Sequence, residues 1–208
     1  MARAFAGPLS RWFAPDAAAA ERLCAGVEAW RSDLRTAVAA KVAADLVWDE
    51  RAPVAATADL GDSGWMALRL FAFYAERTDL ELPDTVPALL ELDREWRAAH
   101  DAKFARSRYG HLLACRVWLP GDFPVTLRAP LPDGDSAEIG SVAVLHDQLK
   151  WLNDRTFAAD AAAIAGWRDL PAAPGGELLA AARRGFAGLW ATVQAARAAR
   201  LPLVVDGP

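Results

Sequence analysis

The sequence predicts an α+β fold, with about six helices around a small antiparallel β-meander at residues 111–140. Three observations carry that expectation. Residues 111–140 are where apolar side chains alternate with period two, separated by turn pairs. The flanking chain is Ala-rich and spaces its apolar residues by three and four, as helices do. At 208 residues and 54% apolar content the chain can bury a sizeable core, so a single globular domain over 1–208 is expected.

Asp16, following Pro15, is placed to cap a helix whose stripe is Leu23, Val27, Trp30, Leu34, Val38 and Val42. It reads to about Trp48, as one long helix or as two joined near Ser32 and Asp33. Residues 51–64 then read as a loop, with Asp62 or Ser63 capping the helix at 65–77. That helix is apolar almost all round, with Arg69 its lone interruption before a polar end, so it belongs at the centre of the fold. A third helix, capped by Asp84 with Pro87 in its first turn, carries Leu89, Leu92, Trp96, His100 and Phe104 and stops at Gly110.

In the meander, Leu113, Cys115, Val117 and Leu119 share one face of a first strand. Pro120 and Gly121 suit a type II turn, because Pro presets φ and Gly supplies the positive φ after it. Phe123, Val125, Leu127 and Ala129 face inward from a second strand, and Asp133 with Gly134 turns the chain into a third near 137–139. Ser141 caps a helix at 142–155, a short helix follows at 160–169, and Pro171, Pro174, Gly175 and Gly176 break the chain. The last helix carries Leu179, Ala182, Phe186, Leu189, Val193 and Ala196, and LPLVV after it has the composition of one edge strand.

Composition excludes several function classes. Net charge is −4, and the one modestly basic face, Arg183, Arg184, Arg197 and Arg200, lies on a solvated helix, so no nucleic-acid partner is expected. No apolar run reaches the length of a membrane span, and the N-terminal residues lack a signal-peptide apolar segment, which predicts a cytoplasmic protein with no membrane partner. Cys24 and Cys115 read as two buried thiols rather than a disulfide. No Cys/His spacing predicts a structural metal, and no glycine-rich phosphate loop predicts a nucleotide cofactor, so none is assigned.

Two motifs invite chemistry. Gly61, Asp62, Ser63 and Gly64 spell the GDSG found around serine-protease nucleophiles, but that family's histidine base lies upstream, and His100, His111 and His146 all follow Ser63. The GDS of SGNH-type hydrolases needs a late D-x-x-H, and Ala143 stands three residues before His146. A capped helix start explains the tetrapeptide. His146 and Asp147 loosely resemble the metal-binding HD pair of metal-dependent phosphohydrolases, with His100 or His111 upstream and Asp154, Asp160 or Asp169 downstream. That family is all-helical, whereas here a predicted meander separates the upstream histidines from the pair.

Nine Trp in 208 residues is a high content, and Trp and Arg are the residues most enriched where proteins grip partners. The outward face of the predicted meander, with Arg116, Trp118, Thr126 and Arg128, and Trp151 on the following helix, forms the expected binding surface. The sequence is therefore read as a non-catalytic protein working through protein–protein contact or self-association, of adaptor, regulatory or immunity type. The rivals are a phosphohydrolase centred on His146 and Asp147, and a small-molecule pocket lined by Arg116, Trp118 and Trp151.

Overall fold

The computed structural model describes residues 2–40, 42 and 44–207. Among them six strands pair into one mixed sheet: β1 (Ala2–Ala6), β2 (Ala56–Gly61), β3 (Val117–Leu119), β4 (Leu127–Pro130), β5 (Ser136–Ser141) and β6 (Leu203–Asp206). Their order is β2-β1-β6-β3-β5-β4, antiparallel throughout except for β3 beside β5. Eight α-helices accompany them among the described residues: α1 (Leu9–Phe13), α2 (Ala17–Val38), α3 (Gly64–Ala75), α4 (Arg94–Asp101), α5 (Gly110–Ala114), α6 (Val142–Leu152), α7 (Ala161–Gly166) and α8 (Leu178–Ala199). The class is α+β.

Helices cover both faces of the sheet. Trp118, Leu203 and Val205 point into one core with α3, α6 and α8, where Trp65, Phe73, Leu145 and Phe186 are buried. Their neighbours Val117, Leu119 and Val204 point into the other, under Val27 and Leu34 of α2 and the extended residues Leu46 and Trp48. Alternation along a strand therefore means one core or the other, not core or solvent. At the centre α3 crosses α8 so closely that a Cβ on Gly185 would lie 2.2 Å from the Gly64 carbonyl oxygen. Only glycine at that crossing lets the two backbones touch.

The predicted meander is corrected to a hairpin within this larger sheet. Only β4 and β5 form the expected antiparallel pair, turned by Gly134 at φ +92°. Residues 110–114 are a helical turn because Leu112 and Leu113 are both fully buried, which consecutive positions of a strand could not achieve against a single core. Val125 is 41% exposed and precedes the paired stretch. LPLVV contributes β6, a central strand rather than an edge; β1 arises from N-terminal residues to which the sequence assigns no element, and β2 from a segment read as loop.

Among the helices, Asp16 caps α2 as expected through the Ala19 amide at 2.8 Å, but the helix stops at Val38. Positions 41 and 43 of its predicted continuation lie outside the described residues. The predicted third helix is shorter: Asp93, not Asp84, caps α4 by accepting the Trp96 amide at 2.8 Å. Leu89 and Leu92 precede it and stand 53% and 68% exposed. Ser141 caps α6 through the Val144 amide, as read. Ser63 occupies the N-cap position of α3, yet its buried hydroxyl has no hydrogen-bond partner among the described residues. Cys24 and Cys115 are buried and unpaired thiols.

His111 ties α5 to the sheet. Its Nδ1 accepts the Ser141 amide at 3.0 Å, so Nε2 carries the proton and donates to the Pro124 carbonyl at 3.2 Å. A Cβ at Gly140 would lie 2.8 Å from that Nδ1, so glycine makes the room. Burial holds the imidazole neutral by lowering its pKa below the usual 6.5, against a smaller raising effect of the Pro124 carbonyl. The unfolded chain therefore takes up this proton first as pH falls. The His111 contribution to stability is intact above about pH 6.5 and is lost from there down to the lowered folded pKa, by at most about 1.4 kcal/mol per pH unit. Urea midpoints at pH 7.5, 6.5 and 5.5 should fall in the wild type. In His111→Asn, which keeps an acceptor for Ser141, the fall should be shallower; equal slopes would assign the effect to other groups.

Candidate functional site

The structure separates the residues of the expected binding surface. Trp118 is fully buried, because α3 covers the face of β3 from which it projects; its ring meets Trp65 edge-on at 6.1 Å. The indole N–H donates to the His111 carbonyl at 3.1 Å. Trp118 is a core residue, and its place on a binding surface is corrected accordingly. Arg116 stays exposed, 3.9 Å from Asp135. Thr126 and Arg128 line a 300 Å³ cleft with Arg69, Lys103, Phe104 and Glu138. Trp151 lies in a different depression altogether.

That depression is a groove of 660 Å³ built by the end of α3, the loop after α4 and the end of α6. Arg77, Arg106, Arg108 and Arg155 line it, with Tyr109 and Trp151 between them and Glu76 as the sole carboxylate of the lining. None of the four guanidinium groups has a carboxylate within ion-pair distance among the described residues. Two are held by aromatic rings instead: Arg155 lies 4.5 Å from Trp151 and Arg77 4.4 Å from Phe73. The Arg108 amide donates to Glu76 at 2.9 Å, so that carboxylate anchors the loop. Burial and Glu76 push the Tyr109 phenol up to about 12, with Arg108 and Arg155 opposing, so it stays protonated. The exposed Trp151 ring and four cations against one carboxylate make a local positive surface on an acidic protein.

The cleft beside β4 is built around Arg69. Its Nε and Nη2 both donate to the Leu113 carbonyl, at 3.1 and 2.5 Å. The rings of Trp65 and Trp96 lie 5.2 and 5.0 Å from the guanidinium carbon. Desolvation lowers this guanidinium to about 10, against the raising effects of Glu91 and Cys115. Lys103 and Phe104, at the exit of α4, sit consecutively at φ +53° and +49°. Two adjacent left-handed residues with full side chains cost about 1–2 kcal/mol each. Burial of Phe104 against Phe73 and Trp96 offsets part of that.

His146 and Asp147 do not form a metal centre with the other predicted ligands. His146 Nδ1 lies 2.9 Å from Asp147 Oδ1 and 2.9 Å from Arg197 Nη1, and the ring stacks on Trp190 at 5.0 Å. A guanidinium beside the imidazole opposes a divalent cation there. His111 is spent on Ser141 and Pro124, and His100 faces Asp101 at 3.8 Å. Among the described residues no three His, Cys, Asp or Glu side chains converge. No helix among them is long and apolar enough to cross a membrane.

The residues that sequence reasoning missed are the arginines of the groove and Arg69 with Lys103. A signal existed for Arg69, the lone cation within an apolar helix. The groove had none, because Arg77, Arg106 and Arg155 come from segments far apart in the chain. No known protein family, characterised protein or solved structure matches the chain.

Proposed function

We propose that this chain is a non-catalytic binding protein that receives an acidic segment of a partner protein in the groove formed by Arg77, Arg106, Arg108, Arg155 and Trp151. The observation behind this reading is the set of four guanidinium groups that share one lining carboxylate, Glu76, and form no ion pair among the described residues. Opposed cations of that density are self-repulsive in the free protein and are relieved by an anionic partner. Arg and Trp are also the side chains that carry interface energy, and Trp151 supplies exposed aromatic area at the rim. The groove opens to solvent and is not an enclosed cavity, which suits a segment of a partner chain better than a small engulfed ligand.

The test uses a glutamate-rich peptide followed through Trp fluorescence. Binding should weaken steeply as NaCl rises from about 50 to about 500 mM, because exposed charges are screened over that range. The double variant Arg106→Glu, Arg108→Glu, both positions exposed, should lose at least about tenfold in affinity while its melting temperature stays near that of the wild type. Equal affinity in the double variant would sink the reading. So would tighter binding of a single-stranded oligonucleotide than of the peptide, since arginines with an aromatic platform also suit bases and phosphates.

A further inference from the structure

We infer that the cleft around Arg69, Lys103 and Arg128 is a second binding site, separate from the arginine groove, and takes the carboxylate of a small singly charged organic acid. A guanidinium has five N–H groups in a rigid fork, and in Arg69 only Nε and one Nη2 hydrogen are used, both on the Leu113 carbonyl. Its other donors have no protein acceptor among the described residues, and no carboxylate lies within ion-pair distance. The two Trp rings fix the fork in place before any ligand arrives. A desolvated, pre-oriented fork with free donors is what bidentate carboxylate recognition needs.

Lys103 adds the second observation. A lysine in the left-handed conformation at a helix exit, where glycine is the unstrained residue, is a standing cost to the fold. Strain of that kind persists where the residue serves something other than stability. Here it sets an ammonium and the neighbouring Phe104 ring on the wall of the cleft that Arg69 enters. Thr126 offers a hydroxyl, and Arg128 a further cation, itself 4.0 Å from Glu138. Glu138 and Asp101 also line the cleft, and their charge disfavours a doubly charged phosphate while tolerating one carboxylate. The volume of 300 Å³ fits an acid of a few carbon atoms, with Phe104 and Ala114 beside its apolar part.

The experiment is a titration of the full chain with sodium propionate, read on the indole N–H signals of Trp65 and Trp96 in two-dimensional NMR. Saturable shifts at both, with a dissociation constant on the order of millimolar, are expected for a ligand this small. Arg69→Lys should weaken binding at least about tenfold, because a point charge replaces the fork. Since Arg69 also anchors Leu113, a second variant guards against misfolding. Lys103→Gly removes the strain with the ammonium, so its melting temperature should rise by about 3 °C while propionate affinity falls at least about fivefold. The inference is overturned if propionate gives no saturable shift, if inorganic phosphate binds as well as propionate, or if Lys103→Gly binds propionate like the wild type. The Arg106→Glu, Arg108→Glu variant should bind propionate normally, so failure of the groove and failure of the cleft are distinguishable.

Discussion

Replacing Trp118 by Ala is expected to lower folding stability by about 3–5 kcal/mol, read as a shift of the urea midpoint at unchanged slope. The side chain is fully buried between β3 and α3, and its loss opens a cavity under Trp65 that neither rigid element can close. Its indole N–H also donates to the His111 carbonyl, so the truncation leaves that buried acceptor with the Cys115 amide alone, at 3.3 Å. Trp118→Phe should cost much less, about 1–3 kcal/mol, because it keeps the ring and loses the hydrogen bond and part of the volume. A stable Trp118→Ala protein would return this residue to the surface that its strand position first suggested.

Glu50→Ala is expected to cost a similar amount, about 3–5 kcal/mol, although Glu50 lies outside regular structure. It is a carboxylate only 2% exposed. Its oxygens accept the amides of Leu9 and Ser10, at 3.2 and 2.9 Å, and the indole N–H of Trp48. These bonds hold the first turn of α1 against the extended segment that roofs the second core. Deleting the carboxylate strands three buried donors at once, each costing about 1–3 kcal/mol if unrelieved. Glu50→Gln retains one acceptor oxygen and should fall between wild type and Ala. Thermal melts of the three proteins in one buffer give the order directly; an Ala variant as stable as the wild type would show that water replaces the carboxylate.

Elements whose signals are local were legible. The apolar helix α3, the caps Asp16 and Ser141, the stripe of α8 and the Asp-Gly turn between β4 and β5 each depend on residues a few positions apart. What was not legible depends on pairing across the chain. β1 is mostly Ala and β2 mixes Ala with Asp and Gly, all of low strand propensity, and they are strands because they pair with one another and β1 pairs with β6. The parallel partnership of β3 with β5 requires a crossover that two good turn signals concealed. Trp118 was ambiguous for the same reason: its alternation distinguishes two faces but cannot say that both are covered. The cleft was half legible, through Thr126 and Arg128, and lacked its centre until α3 was seen to bring Arg69 beneath them. The groove collects its cations from three separate elements, and no spacing along the chain records that.

The place of β6 in the sheet has a consequence for the order of events in folding. Among the described residues it is the one strand that joins the pair β2-β1 to the trio β3-β5-β4, and its register sets Ala4 opposite Val205, nearly the whole chain away. Each half can assemble from contacts of moderate sequence separation, but joining them requires closing the longest loop the chain contains. Loop closure of that length is entropically unfavourable until many other contacts have formed. That register predicts two half-sheets that form first and meet late, an order that pulse-labelled hydrogen exchange during refolding would read directly. A chain with β6 undocked would expose unpaired backbone groups on the facing edges of β1 and β3, the kind of edge that pairs with another chain.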